Sequence, residues 1–227
     1  MDNKTRLQYL EAMGIDVWIP KKNAVVEKSF EAGSVDIGND AILDSWSDLQ
    51  QEVASCQKCE LCQSRKQTVF GEGNINADWM LIGEAPGYNS ELEGKPLVGQ
   101  AGLLLTEMIR AIGLQRDEVY LANIVKCRTV DDKEPKVAEM RACHEYLQRQ
   151  VQLVKPKIIV ALGRVAAQKL LDSHEPLAKL RGVAHQFMGI PLVIVYHPAY
   201  LLRKLIEKRK AWQDLQFAIN IYQEEKS

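Results

Sequence analysis

Four short apolar runs constrain this chain more than any other feature: Trp79–Gly83 (WMLIG), Val119–Val125 (VYLANIV), Lys157–Gly163 (KIIVALG) and Pro191–Tyr196 (PLVIVY). Each run is continuous rather than alternating, the pattern of strands covered on both faces. Between them, apolar residues recur at helical spacing. Leu104, Met108 and Ile112 do so in AGLLLTEMIRAIG, which ends on a glycine. Val137, Met140, Leu147 and Val151 do so in KVAEMRACHEYLQRQVQLV, and RVAAQKLLD and KAWQDLQFAINIY complete the series. Strand–helix alternation predicts an α/β fold, a three-layer α/β/α sandwich around a central, mainly parallel four-stranded sheet. Ligands of such sheets bind beyond the carboxyl ends of the strands. The unusual residues fall there: Glu84-Ala85-Pro86-Gly87 after the first run, Asn123 near the end of the second, and His197-Pro198 after the fourth.

A chain of 227 residues can hold one sizeable domain and an appendage. In KTRLQYLEAMGIDVW, Leu7, Leu10 and Met13 share one side of a short helix that Gly14 would end. Residues 21–44 show no sustained period and several turn formers, and bury too little apolar surface to offset their chain entropy. The expected organisation is a short amphipathic segment over 1–20, a linker over 21–47 and a domain over 48–227. No apolar run approaches the roughly 18 residues of a membrane span, and the first residues lack the apolar centre of a secretory signal. The expectation is a cytoplasmic monomer. Net charge is −1, so any phosphate-binding surface must be local; RKLIEKRK (203–210) is the candidate stretch.

Cysteine usage adds a chemical constraint. Cys56, Cys59 and Cys62 stand at even three-residue steps, and Cys127 and Cys143 follow far downstream. In a reducing compartment this pattern suggests metal binding or redox work before disulfides. Cys56 and Cys59 place two thiolates on one turn, and Cys127 and Cys143 can add two more. Four thiolates suit zinc or an iron–sulfur cluster, and spacing does not separate the two.

The motifs TVFGEG (68–73), LIGEAPG (81–87), GKPLVGQAG (94–102), NIVKCR (123–128), LGRVAAQKLL (162–171) and YHPAYLLR (196–203) occur in this order. Their combination resembles the family 4 uracil-DNA glycosylases, the iron–sulfur type, over about residues 48 to 222. The resemblance implies a uracil-DNA glycosylase-like fold that hydrolyses the N-glycosidic bond of uracil in DNA. It implies a structural [4Fe–4S] cluster on Cys56, Cys59, Cys127 and Cys143, with Cys62 as the extra cysteine. The base must leave the stack, at about a few kcal/mol, and be read on its pairing edge. The amide of Asn123 complements the N3–H and O4 of uracil, whereas cytosine offers the reverse pattern. His197 matches the family residue that donates toward O2 as the departing base gains negative charge. Glu84 is the first choice, and Glu91 the second, for a carboxylate that stabilises the sugar cation and orients water. Ala85, Pro86 and Gly87 supply loop contacts to the base, and Leu97 its apolar cover. Leu201, Leu202 and Arg203 are expected to touch DNA, the leucines as wedges replacing the extruded base. His144, His174 and His185 are read as structural.

The chain departs from the family pattern at three places. Leucine stands at 97 where the family usually has phenylalanine, YNSE follows the GEAPG motif where an acidic pair is usual, and Asp132 takes the place of an asparagine. These departures favour an alternative, a non-catalytic DNA-damage or replisome-binding module on the same fold. Residues 6–18 weakly resemble the start of the psi subunit of the bacterial clamp loader, which implies docking on a replication clamp-loader subunit by helix-in-groove contact.

Overall fold

The computed structural model describes residues 45–225. The amphipathic segment with its clamp-loader reading and nearly all of the expected linker lie outside the described residues. Helix α1 (Trp46–Ala54) begins inside the last residues of that expected linker; Ser45 caps it by accepting from the Asp48 N–H at 3.1 Å. In chain order there follow α2 (Leu61–Ser64), β1 (Glu72–Gly73), β2 (Trp79–Gly83), α3 (Tyr88–Glu93), α4 (Gly99–Ala111) and β3 (Tyr120–Asn123). Then come α5 (Val137–Val154), β4 (Ile158–Leu162), α6 (Arg164–Leu171), α7 (Leu177–Leu180), β5 (His185–Phe187), β6 (Ile190–Val195), α8 (Pro198–Arg203) and α9 (Lys208–Glu224).

The sheet order is β1-β3-β2-β4-β6-β5. The four expected strands pair in parallel, with Leu81 opposite Leu121 on one side and Val160 on the other. Two short antiparallel edges, β1 on β3 and β5 on β6, extend the sheet beyond the expectation. Alternate residues of each central strand go to opposite layers. Met80, Ile82, Ile159, Ala161, Leu192 and Ile194 enter a core shared with α1, α5 and α6. Trp79, Leu81, Ile158, Val160, Val193 and Val195 enter a second core under α4 and α9. This two-sided covering is why the runs are apolar throughout. Each such side chain contributes about 1.5–3 kcal/mol on burial.

The chain steps from β2 outward to β3, then crosses back over β2 to β4. The carboxyl end of β2 is therefore a topological switch point, where loops diverge and leave a crevice. Among the described residues, no helix is long and apolar enough to cross a membrane.

Candidate active site

A cleft of about 460 Å³ opens at this crevice. Glu84, Ala85, Pro86 and Gly87 line it after β2; Leu97 and Val98 wall one side, and His197, Tyr200 and Arg203 another. Five of the expected residues, Glu84, Ala85, Pro86, Gly87 and Leu97, thus meet His197 and Arg203 in one cavity.

Asn123 lies behind that wall. It ends β3 opposite Gly83, is 1% exposed, and neither its Nδ2 nor its Oδ1 has a hydrogen-bond partner. A Cβ added at Gly83 would stand 2.5 Å from Asn123 Oδ1 and 3.7 Å from Leu97 Cδ1. Glycine is required there so that the amide can reach across β2. Asn123 does not itself line the cleft, and Leu97 stands beside it. An orphaned buried amide costs about 1–3 kcal/mol, so this group is set for a partner that the fold does not supply.

His197 caps α8. Its Nδ1 accepts from the Ala199 N–H at 3.2 Å, so a neutral ring carries its proton on Nε2. Burial, with the Arg203 guanidinium adding to it, lowers the imidazole pKa to about 4. At neutral pH the ring is an uncharged donor. The turn after β4 makes room for it: Gly163 has φ +90, and a Cβ there would meet His197 Cβ at 2.9 Å. Behind the histidine, Tyr196 stacks on Tyr200 at 5.1 Å, Arg181 covers Tyr196 at 4.2 Å, and Asp214 accepts from Arg181 Nε at 2.7 Å.

Glu84 is half-buried, and burial raises its carboxyl pKa; Glu134 adds to the rise and Arg164 opposes it. Glu91, the second choice for the carboxylate, is not brought to the cleft. It is 2% exposed, accepts from the Lys66 N–H at 3.0 Å, and has Arg128 at 3.9 Å. From α3 it faces the chain before β1. Asp132 does line the cleft, but Arg128 grips both its oxygens, at 2.7 and 3.0 Å, and holds its pKa below the ordinary value. Its charge is thereby offset where the family has a neutral amide.

The expected wedge divides. Leu201 is 1% exposed and belongs to the core under α4 and α9, so burial there keeps it from entering DNA. Leu202 is exposed, and so are Leu205 and Ile206, at 64% and 84%, which the sequence reading passed over. Arg203, Lys204, Lys208, Arg209 and Lys210 surround them, all exposed. The signal available was the polar–apolar mixture RKLIEKRK itself.

All five cysteines are free thiols. Cys127 and Cys143 are buried, and Cys56 packs against the same core as Cys143. Burial pushes the Cys127 thiol up to about 11, while Arg65 Nη1, donating to its sulfur at 3.3 Å, acts against this. Burial is the main reason that Cys59 and Cys143, like Cys127, resist ionising, and neighbouring cysteines add to it: Cys56 and Cys62 at Cys59, Cys143 and Cys59 at Cys127, Cys59 and Cys56 at Cys143. The four expected ligands therefore lie within one another's field. Among the described residues, no group of three or more His, Cys, Asp or Glu side chains is arranged to hold a metal ion. Four thiols are a donor set that zinc and an iron–sulfur cluster both accept.

Comparison with known proteins agrees with this geometry. Residues 70–216 match the family model described as the uracil DNA glycosylase superfamily. That stretch spans β2, β3, β4 and β6 and the loops that line the switch-point crevice. The chain is 42% identical over 180 residues to the type-4 uracil-DNA glycosylase of Sulfurisphaera tokodaii, covering 73% of this chain and 82% of that one. It is 38% identical over 157 residues to that of Thermotoga maritima (68% and 82%) and 37% identical over 168 residues to that of Archaeoglobus fulgidus (70% and 84%). The chain belongs to the type-4 uracil-DNA glycosylase family.

Proposed function

We propose that this protein excises uracil from DNA by hydrolysing its N-glycosidic bond, leaving an abasic site for base excision repair. The observation that carries the reading is the Asn123 amide, wholly buried at a strand end with both polar atoms unpartnered. Its Oδ1 and Nδ2 match the N3–H and O4 of an extruded uracil. The ring of Leu97's usual counterpart is missing here, so the base is covered by aliphatic contact alone.

His197 supplies the electrostatic part. Its Nε2–H donates toward O2, where negative charge gathers as the bond to the sugar breaks. A neutral donor stabilises that charge without itself losing a proton, and removing one such donor typically costs about 10²–10³ in rate. Glu84 faces the sugar side. As a carboxylate it stabilises the growing positive charge and takes a proton from water as the oxygen attacks; its raised pKa makes it the better base. The displaced base leaves as the anion that Asn123 and His197 hold. Arg203 and the cations of 204–210 contact phosphates, and Leu202, Leu205 and Ile206 fill the gap in the stack.

Cys56, Cys59, Cys127 and Cys143 would hold a [4Fe–4S] cluster. Its role is structural, tying the segment before α2 to the loop that follows β3. Cys127→Ser should abolish the visible absorption of the purified protein and Cys62→Ser should leave it; equal loss in both would reassign the ligands. A cytoplasmic location, as expected from the sequence, is part of the same proposal. Docking of residues 6–18 on a clamp-loader subunit rests on their sequence pattern, and a pull-down that fails to retain such a subunit removes it.

The decisive experiment incubates the full chain with a uracil-containing oligonucleotide and then with alkali. Strand cleavage at the uracil is the expected result. Tight binding without cleavage would instead establish the binding-module alternative, which the aliphatic residue at 97 and the acid at 132 favour.

A further inference from the structure

Leu97 holds a backbone conformation that its type seldom adopts. Its φ is +53, in the left-handed region, and yet it is 7% exposed and forms part of the cleft wall beside Asn123. A leucine stays there only when its surroundings fix it. Those surroundings are specific. From the side away from the cleft, Arg116 Nη2 donates to the carbonyls of Pro96 at 2.9 Å and Leu97 at 3.2 Å. The same guanidinium is anchored by Glu72 Oε2 of β1, at 3.1 Å from Nη2 and 3.4 Å from Nε, and Nη1 lies 3.5 Å from Thr106 Oγ1. Helix α4 closes the remaining side, since a Cβ at Gly102 would stand 2.0 Å from the Leu97 carbonyl oxygen. Lys95 completes the anchor by pairing with the other oxygen of Glu72 at 3.3 Å.

We propose that Arg116 is a positioning residue that aims the Leu97 side chain at the extruded base. The inference rests on the uracil-excision reading of the cleft. A leucine offers a base less surface than an aromatic ring and no stacking, and its dispersion contact is in part forfeited by a gap of about 0.5–1 Å. Its backbone must be held correspondingly firmly. Arg116 touches neither the base nor the reacting atoms; it acts through two carbonyls. The planar fork suits this task, because one rigid group spans both acceptors and the carboxylate behind them.

The test is a double-mutant cycle on the full chain, with kcat/KM measured on a single-stranded uracil oligonucleotide. Arg116→Met is expected to lower kcat/KM about tenfold when Leu97 is present and less than about twofold in the Leu97→Ala background, a coupling of the size seen for contacting residues. Arg116→Lys, which can reach one carbonyl, should recover part of the loss. Glu72→Gln weakens the anchor without removing the guanidinium, and should give a smaller loss with the same dependence on Leu97; it serves where Arg116→Met fails to fold. An equal loss in both backgrounds, or no loss, overturns the inference, because a merely structural contact would not sense the side chain at 97. Absence of excision by the unsubstituted chain removes the uracil reading itself, and this inference with it.

Discussion

Asn123 ends β3 and Lys126 stands three residues beyond it; each is 1% exposed, and they are treated in opposite ways. The Lys126 ammonium donates to the Asn123 main-chain carbonyl at 2.8 Å and to Gln150 Oε1 at 2.5 Å. Gln150 in turn donates to the Phe70 carbonyl at 2.9 Å and the Tyr120 hydroxyl at 3.1 Å. Every strong polar group in that cluster is answered. The Asn123 amide, next to it, is answered by nothing in the fold. A closed network fixes architecture; an open one at equal depth leaves a donor and an acceptor over. Burial of a polar group is therefore not by itself a functional signal; burial without partners calls for an explanation, and His144 Nδ1 shares that condition outside the cleft lining.

The contrast can be broken by substitution. Asn123→Ala should lower kcat/KM for uracil excision at least about a hundredfold, with thermal stability held or raised, because no internal hydrogen bond is lost and an orphaned amide is removed. Parallel loss of stability would show that the amide is structural after all. Gln150→Leu should do the reverse, costing about 1–3 kcal/mol by orphaning Lys126 and its neighbours. Its activity per folded molecule should hold in kinetics normalised to the native fraction.

His197 sharpens the comparison through pH. Its pKa is about 4 in the folded protein against 6.5 ordinarily. Between those values the unfolded chain binds more protons, so its contribution to stability is present above pH 6.5 and lost as pH falls toward 4. His197→Asn keeps an acceptor for the Ala199 N–H and should remove about 1–2 kcal/mol of that dependence in urea titrations at pH 5 and 7. The figure is below the full shift because part of the ring faces the cleft. Tyr120→Phe is the mildest probe. It deletes one of the two acceptors of Gln150 Nε2 and should cost about 0.5–1.5 kcal/mol, without effect on KM.

The central strands and the long helices were legible because two-sided covering and one-sided covering leave different periods. The edge strands were not. Glu72–Gly73 and His185–Phe187 are too short for a period, and exist because β3 and β6 offer unpaired edges. Glu84, Asn123 and His197 could be placed from their position after apolar runs. Lys126 could not, since a lysine in sequence reads as a surface residue, and only the fold brings Gln150 to it from α5. Glu91 and Leu201 were placed at the site by the motif segments they belong to, and packing buries both side chains.

The glycine at 163 has a consequence for descent. It belongs to the turn after one strand, and the imidazole it accommodates belongs to the turn after another, 34 positions further along the chain. Any residue with a side chain at 163 must push that imidazole out of place. The two positions can drift only together, so a lineage in which 163 has changed and 197 has not has already given up the donor at that corner of the crevice.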